Sequence, residues 1–221
     1  MFTALHLGGS RGAERLDDVT LSLDASQVCL LHGPAGSGKN LLLRYLGLLE
    51  RPDSGEILLN GEPTRDWTDA ERIEARSRRF GFVFETPLLL PAFNVAENIA
   101  MPLLKLTGAS PAQAREATCR AVEHVGLSGM EQHSAESLPV WAQQRVAIAR
   151  ALVMRPEALF VENIDSLARD DELIALLELL AATRRRFGCC VVATAAHADL
   201  VRFADRAVEF NGGRVAGDRF L

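Results

Sequence analysis

Gly33-Pro34-Ala35-Gly36-Ser37-Gly38-Lys39-Asn40 decides the fold. It follows the apolar run Val28-Cys29-Leu30-Leu31 and opens a helical pattern from Leu41 to Leu49. A glycine-rich loop between a strand and a helix is the setting in which backbone N–H groups cradle a phosphate. Gly36 and Gly38 permit the backbone angles that turn successive N–H groups toward an anion, and the helix N-terminus adds its dipole. Lys39 reaches the terminal phosphates. A ligand-free strand-to-helix turn is the plainer reading, and the flanking strand and helix argue against it for the loop's shape. The motif calls for Ser or Thr after the lysine, where a hydroxyl ligates Mg²⁺. Asn40 stands there, and a neutral amide oxygen is a weaker, bulkier ligand.

Outward from this loop, the 221-residue chain is 48% hydrophobic and 24% charged, the composition of a folded protein. A net charge of -5 gives no electrostatic case for nucleic acid, so none is expected as a partner. Lys39 and Lys105 are the only lysines on an arginine-rich background. Cys29, Cys119, Cys189 and Cys190 show no metal-ligand spacing and read as buried apolar residues of a reducing compartment. No signal peptide and no membrane span is read, which makes the chain soluble by itself and leaves membrane contact to a partner.

Val19, Leu21 and Leu23 alternate with polar residues, as in a half-buried strand. Glu56–Leu59 ends at Asn60-Gly61, a hairpin signal. Asp69–Arg79 is a polar helix whose Arg72, Arg76, Arg78 and Arg79 read as a solvated face. Phe80–Phe84, Ala158–Val161 and Cys189–Thr194 are strands, Asp171–Phe187 is a helix, and Ala207–Asp218 is a closing hairpin. The stretch from Pro87 to about Met154 is mostly helical. Short apolar strands alternating with helices predict an α/β fold with a mainly parallel sheet. The expected organisation is one domain over 1–221, with a core of 1–86 and 152–221 and a helical subdomain of 87–151.

Leu138–Leu152, LPVWAQQRVAIARAL, resembles the signature region of ABC transporter ATPases, LSGGQ followed by QRVAIARAL. Arg155–Val161 resembles the run into the Walker B strand, and Phe80–Phe84 the strand leading to the Q-loop. Ala204-Asp205-Arg206 with Asn211-Gly212-Gly213-Arg214 resembles the family's closing hairpin. The resemblance spans nearly the whole chain. It implies a P-loop NTPase core with a small N-terminal antiparallel sheet, and ATP as cofactor. It also implies a transmembrane partner docking near Pro87–Met101, beside Phe93, at the inner face of the bacterial cytoplasmic membrane. Among the family, ATPases of lipoprotein release, phospholipid trafficking and cell division are the most similar.

Read onto this sequence, the family's hydrolytic positions are altered. Signature residues align with Pro139, Val140 and Trp141. Proline removes a donor, valine disfavours positive φ, and the tryptophan is expected to fill the space of the phosphate. The Walker B aspartate aligns with Glu162 and the catalytic glutamate with Asn163, whose amide takes no proton at neutral pH. The Q-loop glutamine aligns with Glu85, and the switch histidine with Ala196, one place before His197. The adenine-stacking aromatic is missing from Leu7–Gly12, and Ser166–Asp170 departs from the family's D-loop.

These replacements point to a hydrolysis-deficient subunit with no catalytic residue of the usual kind. Lys39 and the glycines favour nucleotide binding, while Asn40, Glu85 and the missing aromatic oppose it. Asn40, Glu85 and Glu162 are the residues left for a weak Mg²⁺ site. A structural or regulatory subunit of a membrane complex, pairing with an intact ATPase as a heterodimer or docking directly on a membrane protein, is the leading expectation. A divergent active ATPase using Glu162 and Glu85, and a soluble nucleotide or anion sensor, are the alternatives.

Overall fold

A computed structural model describes residues 1–167 and 170–221. The D-loop reading therefore lies partly outside the described residues, at Ala168 and Arg169. The chain begins with β1 (Phe2–Arg11), β2 (Glu14–Leu23), β3 (Val28–His32), α1 (Lys39–Leu46), β4 (Ser54–Leu59) and β5 (Glu62–Pro63). It continues through α2 (Asp69–Arg79), β6 (Phe80–Val83), α3 (Val95–Leu106), α4 (Pro111–His124) and α5 (Val140–Leu152). β7 (Ala158–Val161), α6 (Ile164–Leu167), α7 (Asp170–Phe187), β8 (Cys190–Ala195), β9 (Arg206–Asn211) and β10 (Arg214–Phe220) complete it.

One sheet has the strand order β2-β1-β4-β5 and is antiparallel. The other runs β10-β9-β3-β8-β7-β6 and is parallel except at the β9–β10 hairpin. β3, β7 and β8 are buried at every position, as parallel strands covered on both faces must be. Successive side chains of β7 serve opposite faces. Ala158 and Phe160 join Phe2, Leu41, Leu42, Leu43 and Phe210 under the small sheet and α1. Leu159 and Val161 join Val146, Ile148, Leu177 and Leu180 under α5 and α7. Phe2, Phe80 and Phe160 close the first core, with ring centroids 5.5–5.7 Å apart.

Local chemistry sets the helix starts. Thr68 with Glu71, Asn94 with Glu97 and Ser110 with Gln113 form capping boxes at α2, α3 and α4. At the β4–β5 turn, Asn60 and Gly61 both take positive φ, 54° and 87°, as a two-residue hairpin requires.

Four expectations need correction. The helix after the glycine loop stops at Leu46 rather than Leu49, because Leu48 takes a φ of 57°. Residues 87–94 are not helical. Cys119 is exposed, although Cys29, Cys189 and Cys190 are buried. The α2 arginines are only partly a solvated face: Arg78 is exposed and pairs with Glu74, but Arg72 and Arg79 turn to the rest of the chain. Arg72 is buried and donates to the Glu50 carbonyl at 2.5 Å, and Arg79 pairs with Glu157 at 2.8 Å through both Nε and Nη2.

Candidate nucleotide site

The glycine loop lies at the carboxyl end of β3, beside those of β7 and β8, where open α/β sheets place their ligands. Gly36 and Gly38 have φ of 75° and 95°, the left-handed region that glycine enters without strain. Gly38 is the N-cap of α1, so the first N–H groups of that helix, from Lys39 onward, lack intrahelical acceptors. The loop is braced from outside: Gly33 N–H donates to the Ala195 carbonyl at 3.2 Å, and Gly213 N–H donates to the Ser37 carbonyl at 3.1 Å. Lys39 is 3% exposed and donates from Nζ to the Pro34 carbonyl at 3.2 Å. Burial lowers its pKa, opposed by the charges of Glu14 and Asp165. Pro34, Ala35 and Ser37 complete the loop, and its shape fits a phosphate.

The metal and water side is built differently. Asn40 Oδ1 accepts from the Thr194 hydroxyl at 2.5 Å, and Asn40 Nδ2 donates to Asn163 Oδ1 at 3.1 Å. Asn163 Nδ2 donates to Glu85 Oε2 at 2.8 Å, and its own N–H donates to Thr194 Oγ1 at 2.8 Å. Asn163 sits at a φ of 45°, a conformation asparagine tolerates better than most residues. One network thus joins α1, the segment after β6, the segment after β7, and β8. Glu162 stands apart from it. Its Oε1 accepts from Arg44 Nη1 at 2.7 Å, while Arg44 Nε donates to Glu50 at 2.6 Å.

The residues read as a weak Mg²⁺ site have other partners: the Asn40 oxygen accepts from Thr194, and the Glu162 carboxylate is paired with Arg44. Of the residues read as a metal site, Asn40 and Glu85 meet through Asn163, and Glu162 does not join them.

At the position of the switch histidine, Ala196 N–H donates to Asp165 at 2.7 Å, and His197 is exposed at the start of a 3-10 turn. The signature replacement also needs correction. Val140, 66% exposed, is the side chain presented outward; Trp141 packs back on the helical core under Arg145, 5.6 Å from its ring centroid. Pro139 caps α5 without any side-chain hydrogen bond.

Beyond the network, Arg150 donates to the Pro87 and Leu88 carbonyls, both at 2.8 Å. Buried Asn98 accepts from Leu90 N–H at 2.8 Å and donates to the Leu90, Phe93 and Asn94 carbonyls. These contacts hold residues 87–94 in a non-helical path, with Leu88 at a φ of 49° and a turn from Leu90 to Phe93, beside a groove of about 930 Å³ between α3 and α4. Phe93, Ala100, Met101 and Leu104 line it. No helix among the described residues is long and apolar enough to cross a membrane. Sequence reasoning assigned no role to Glu14, Arg44, Asn98 and Thr194; Asn98 lies in the segment Asn94–Ile99 that resembles the family's post-Q-loop stretch, and the others reach the site only through folding.

The ABC transporter family model matches residues 16–163. The lipoprotein-releasing system ATP-binding protein LolD 1 of Rhodopseudomonas palustris is 34% identical over 92% of this chain and 90% of its own. The macrolide export ATP-binding/permease protein MacB of Burkholderia pseudomallei is also 34% identical, over 96% of this chain but 32% of its own length. The post-hydrolysis dimer of the ATP-binding cassette MJ0796, bound to ADP and Pi, superposes with a TM-score of 0.89 at 27% identity, covering 100% of this chain and 99% of that one. A phosphate loop, a mainly parallel core and a small antiparallel sheet, with these matches across most of the length, establish that the chain belongs to the ABC transporter ATP-binding family.

Proposed function

We propose that this chain is a hydrolysis-deficient nucleotide-binding subunit of a membrane transport complex, with a structural or regulatory role. The observation that carries the reading is the direct network from Glu85 through Asn163 and Asn40 to Thr194. Hydrolysis of ATP needs a metal, a positioned water and donors on the γ-phosphate together. Here two amides occupy the positions of the metal-ligating hydroxyl and the general base, and neither takes a proton at neutral pH. Glu162 is held by Arg44. ATP remains the nucleotide for the loop Gly33–Asn40, bound through Lys39 and backbone N–H groups without the usual metal geometry.

The likeness to LolD and MacB supports a transmembrane partner and a place at the inner face of the cytoplasmic membrane. Its docking surface is the segment Pro87–Met101 with the α3–α4 groove, where Leu88 is 58% and Phe93 37% exposed. Pro139, Val140 and Trp141 do not cap a second copy's nucleotide in the family's manner, which favours an intact ATPase subunit as a heterodimer partner over a homodimer closed on ATP.

The purified chain is expected to show no ATPase activity above background at millimolar Mg-ATP. Turnover that disappears in Lys39→Ala would overturn the reading and favour a divergent enzyme; Glu162→Gln would then test whether Glu162 serves it.

A further inference from the structure

Three helices end around one small cavity. α4 stops at His124, α5 at Leu152 and α7 at Phe187, and residues from all three ends border a space of about 280 Å³. Arg155 and Phe187 lie just before β7 and β8 in the chain. The cavity is therefore at the amino ends of the parallel strands, opposite the glycine loop at their carboxyl ends. Arg120, His124, Arg155 and Arg186 line it, and no carboxylate among the described residues does. Buried Ala121 and Leu152, with Phe187, supply an apolar wall. The three arginines are exposed, which leaves the cavity open to a ligand from outside.

Arg120 forms an i,i+4 pair with Glu116, and Arg184, two residues before Arg186, reaches Asp205 at 3.7 Å. Arg155 and Arg186 pair with no carboxylate among the described residues. Arg186 is nonetheless held in place. Its Cζ stands 5.7 Å from the Phe187 ring centroid, and its Nη1 stands 3.5 Å from His124 Nδ1. A guanidinium only donates, so Nδ1 is the bare nitrogen of His124, and Nε2–H donates to the Thr183 hydroxyl at 2.8 Å. The His124 ring is edge-on to Phe187, with centroids 5.1 Å apart, and Thr183 is fully buried. The negative end of a helix accounts for a basic residue in its own last turn, as at Arg186. It does not account for Arg120 and Arg155 at the same cavity. Gathered cations repel one another, and an anion among them relieves that repulsion.

We propose that this cavity binds a phosphate ester. The arginines hold the phosphate group through charge-assisted hydrogen bonds, for which the planar guanidinium is suited, and the organic part lies on the apolar wall. A soluble phosphate ester and a phospholipid headgroup share this chemistry. The site is separate from the glycine loop and does not depend on that loop binding a nucleotide.

Phenyl phosphate, and separately vesicles of phosphatidylcholine with and without phosphatidylglycerol, test the site on the whole chain. The His124 ring resonances, assigned with His124→Gln, are expected to move saturably at millimolar phenyl phosphate and constant pH. Lys39→Ala disables the glycine loop and is expected to leave that response unchanged. The double variant Arg155→Gln/Arg186→Gln is expected to bind phenyl phosphate roughly tenfold more weakly; Arg155→Gln alone gives the comparison if the double variant folds poorly. Vesicle binding that needs phosphatidylglycerol and disappears in the arginine variant assigns the site to lipid headgroups. Phenyl phosphate binding without vesicle binding assigns it to soluble esters. Equal affinity in the natural chain and the folded arginine variants overturns the proposal. So does an unmoved His124 signal together with no phosphatidylglycerol-dependent vesicle binding, and so does a response that vanishes in Lys39→Ala.

Discussion

Asn40 shows what a single exchange beside Lys39 changes. A hydroxyl there offers one donor and a compact oxygen; an amide offers an acceptor and two donors that must all be satisfied when half-buried. The site satisfies the oxygen with Thr194 and one N–H with Asn163, so the amides of residues 40 and 163 support each other. Arg44 plays the matching part for Glu162. Replacing Arg44 by alanine leaves Glu50 and Glu162, with side-chain exposures of 26% and 13%, without their shared cation. Arg11 also reaches Glu50, so the uncompensated charge falls mainly on Glu162. A loss of about 2 kcal/mol is expected in chemical denaturation; an unchanged midpoint would show that water replaces the arginine at no cost. The substitutions at 40, 85 and 163 were legible in the sequence because each falls inside a motif of fixed spacing. Glu14 and Arg44 were not, because a hairpin residue and a mid-helix arginine carry no pattern of their own until the sheets bring them to the loop.

Elements were legible where local chemistry repeats the global answer. The strand over Ala158–Val161 and the helix over Asp69–Arg79 fall where the pattern puts them, with buried β-sheet residues in one and a capping box in the other. Residues 87–94 were misread as helical because their apolar content mimics a helix, while Pro91 and the α3 cap at Asn94 prevent one. What holds that segment instead is Arg150 of α5 together with one side chain of α3. Asn98 is fully buried and spends its amide on Leu90, Phe93 and Asn94, so its geometry is a tertiary fact that no periodicity announces. Asn98→Ala leaves the Leu90 N–H without its partner, while the Leu90, Phe93 and Asn94 carbonyls keep backbone donors. It is expected to cost about 2–3 kcal/mol and to speed hydrogen exchange at the Leu90 amide, with little change at the Ala193 amide in β8. Uniform protection across the chain would mean that Arg150 alone fixes the segment. Because the segment borders the α3–α4 groove, the same variant should weaken capture of a membrane partner without touching the phosphate loop.

Over the whole molecule, the titrating groups pull stability in a direction that can be worked out. Burial lowers the pKa of His32 and of His124 below the ordinary 6.5; His124 shares a 2.8 Å hydrogen bond with Thr183 and faces Arg186. A histidine that protonates less readily folded than unfolded makes the unfolded chain bind more protons, so stability rises with pH. That contribution is complete above the unfolded value and is lost as pH falls through about 6.5. Glu157 acts in the same sense lower down: its hydrogen bonds with Arg79 hold the carboxyl below 4.5, and its contribution disappears as acid protonates it. Glu14 acts in the opposite sense, because its raised carboxyl takes up a proton more readily in the folded chain and relieves a buried charge. Urea midpoints should therefore fall from about pH 8 to about pH 5, and His124→Gln should flatten the upper part of that decline. Glu14→Gln should steepen the lower part, since a carboxyl that gains on acidification is gone. A midpoint that rises on acidification in the natural chain would show instead that raised carboxyls such as that of Glu14 outweigh the two histidines.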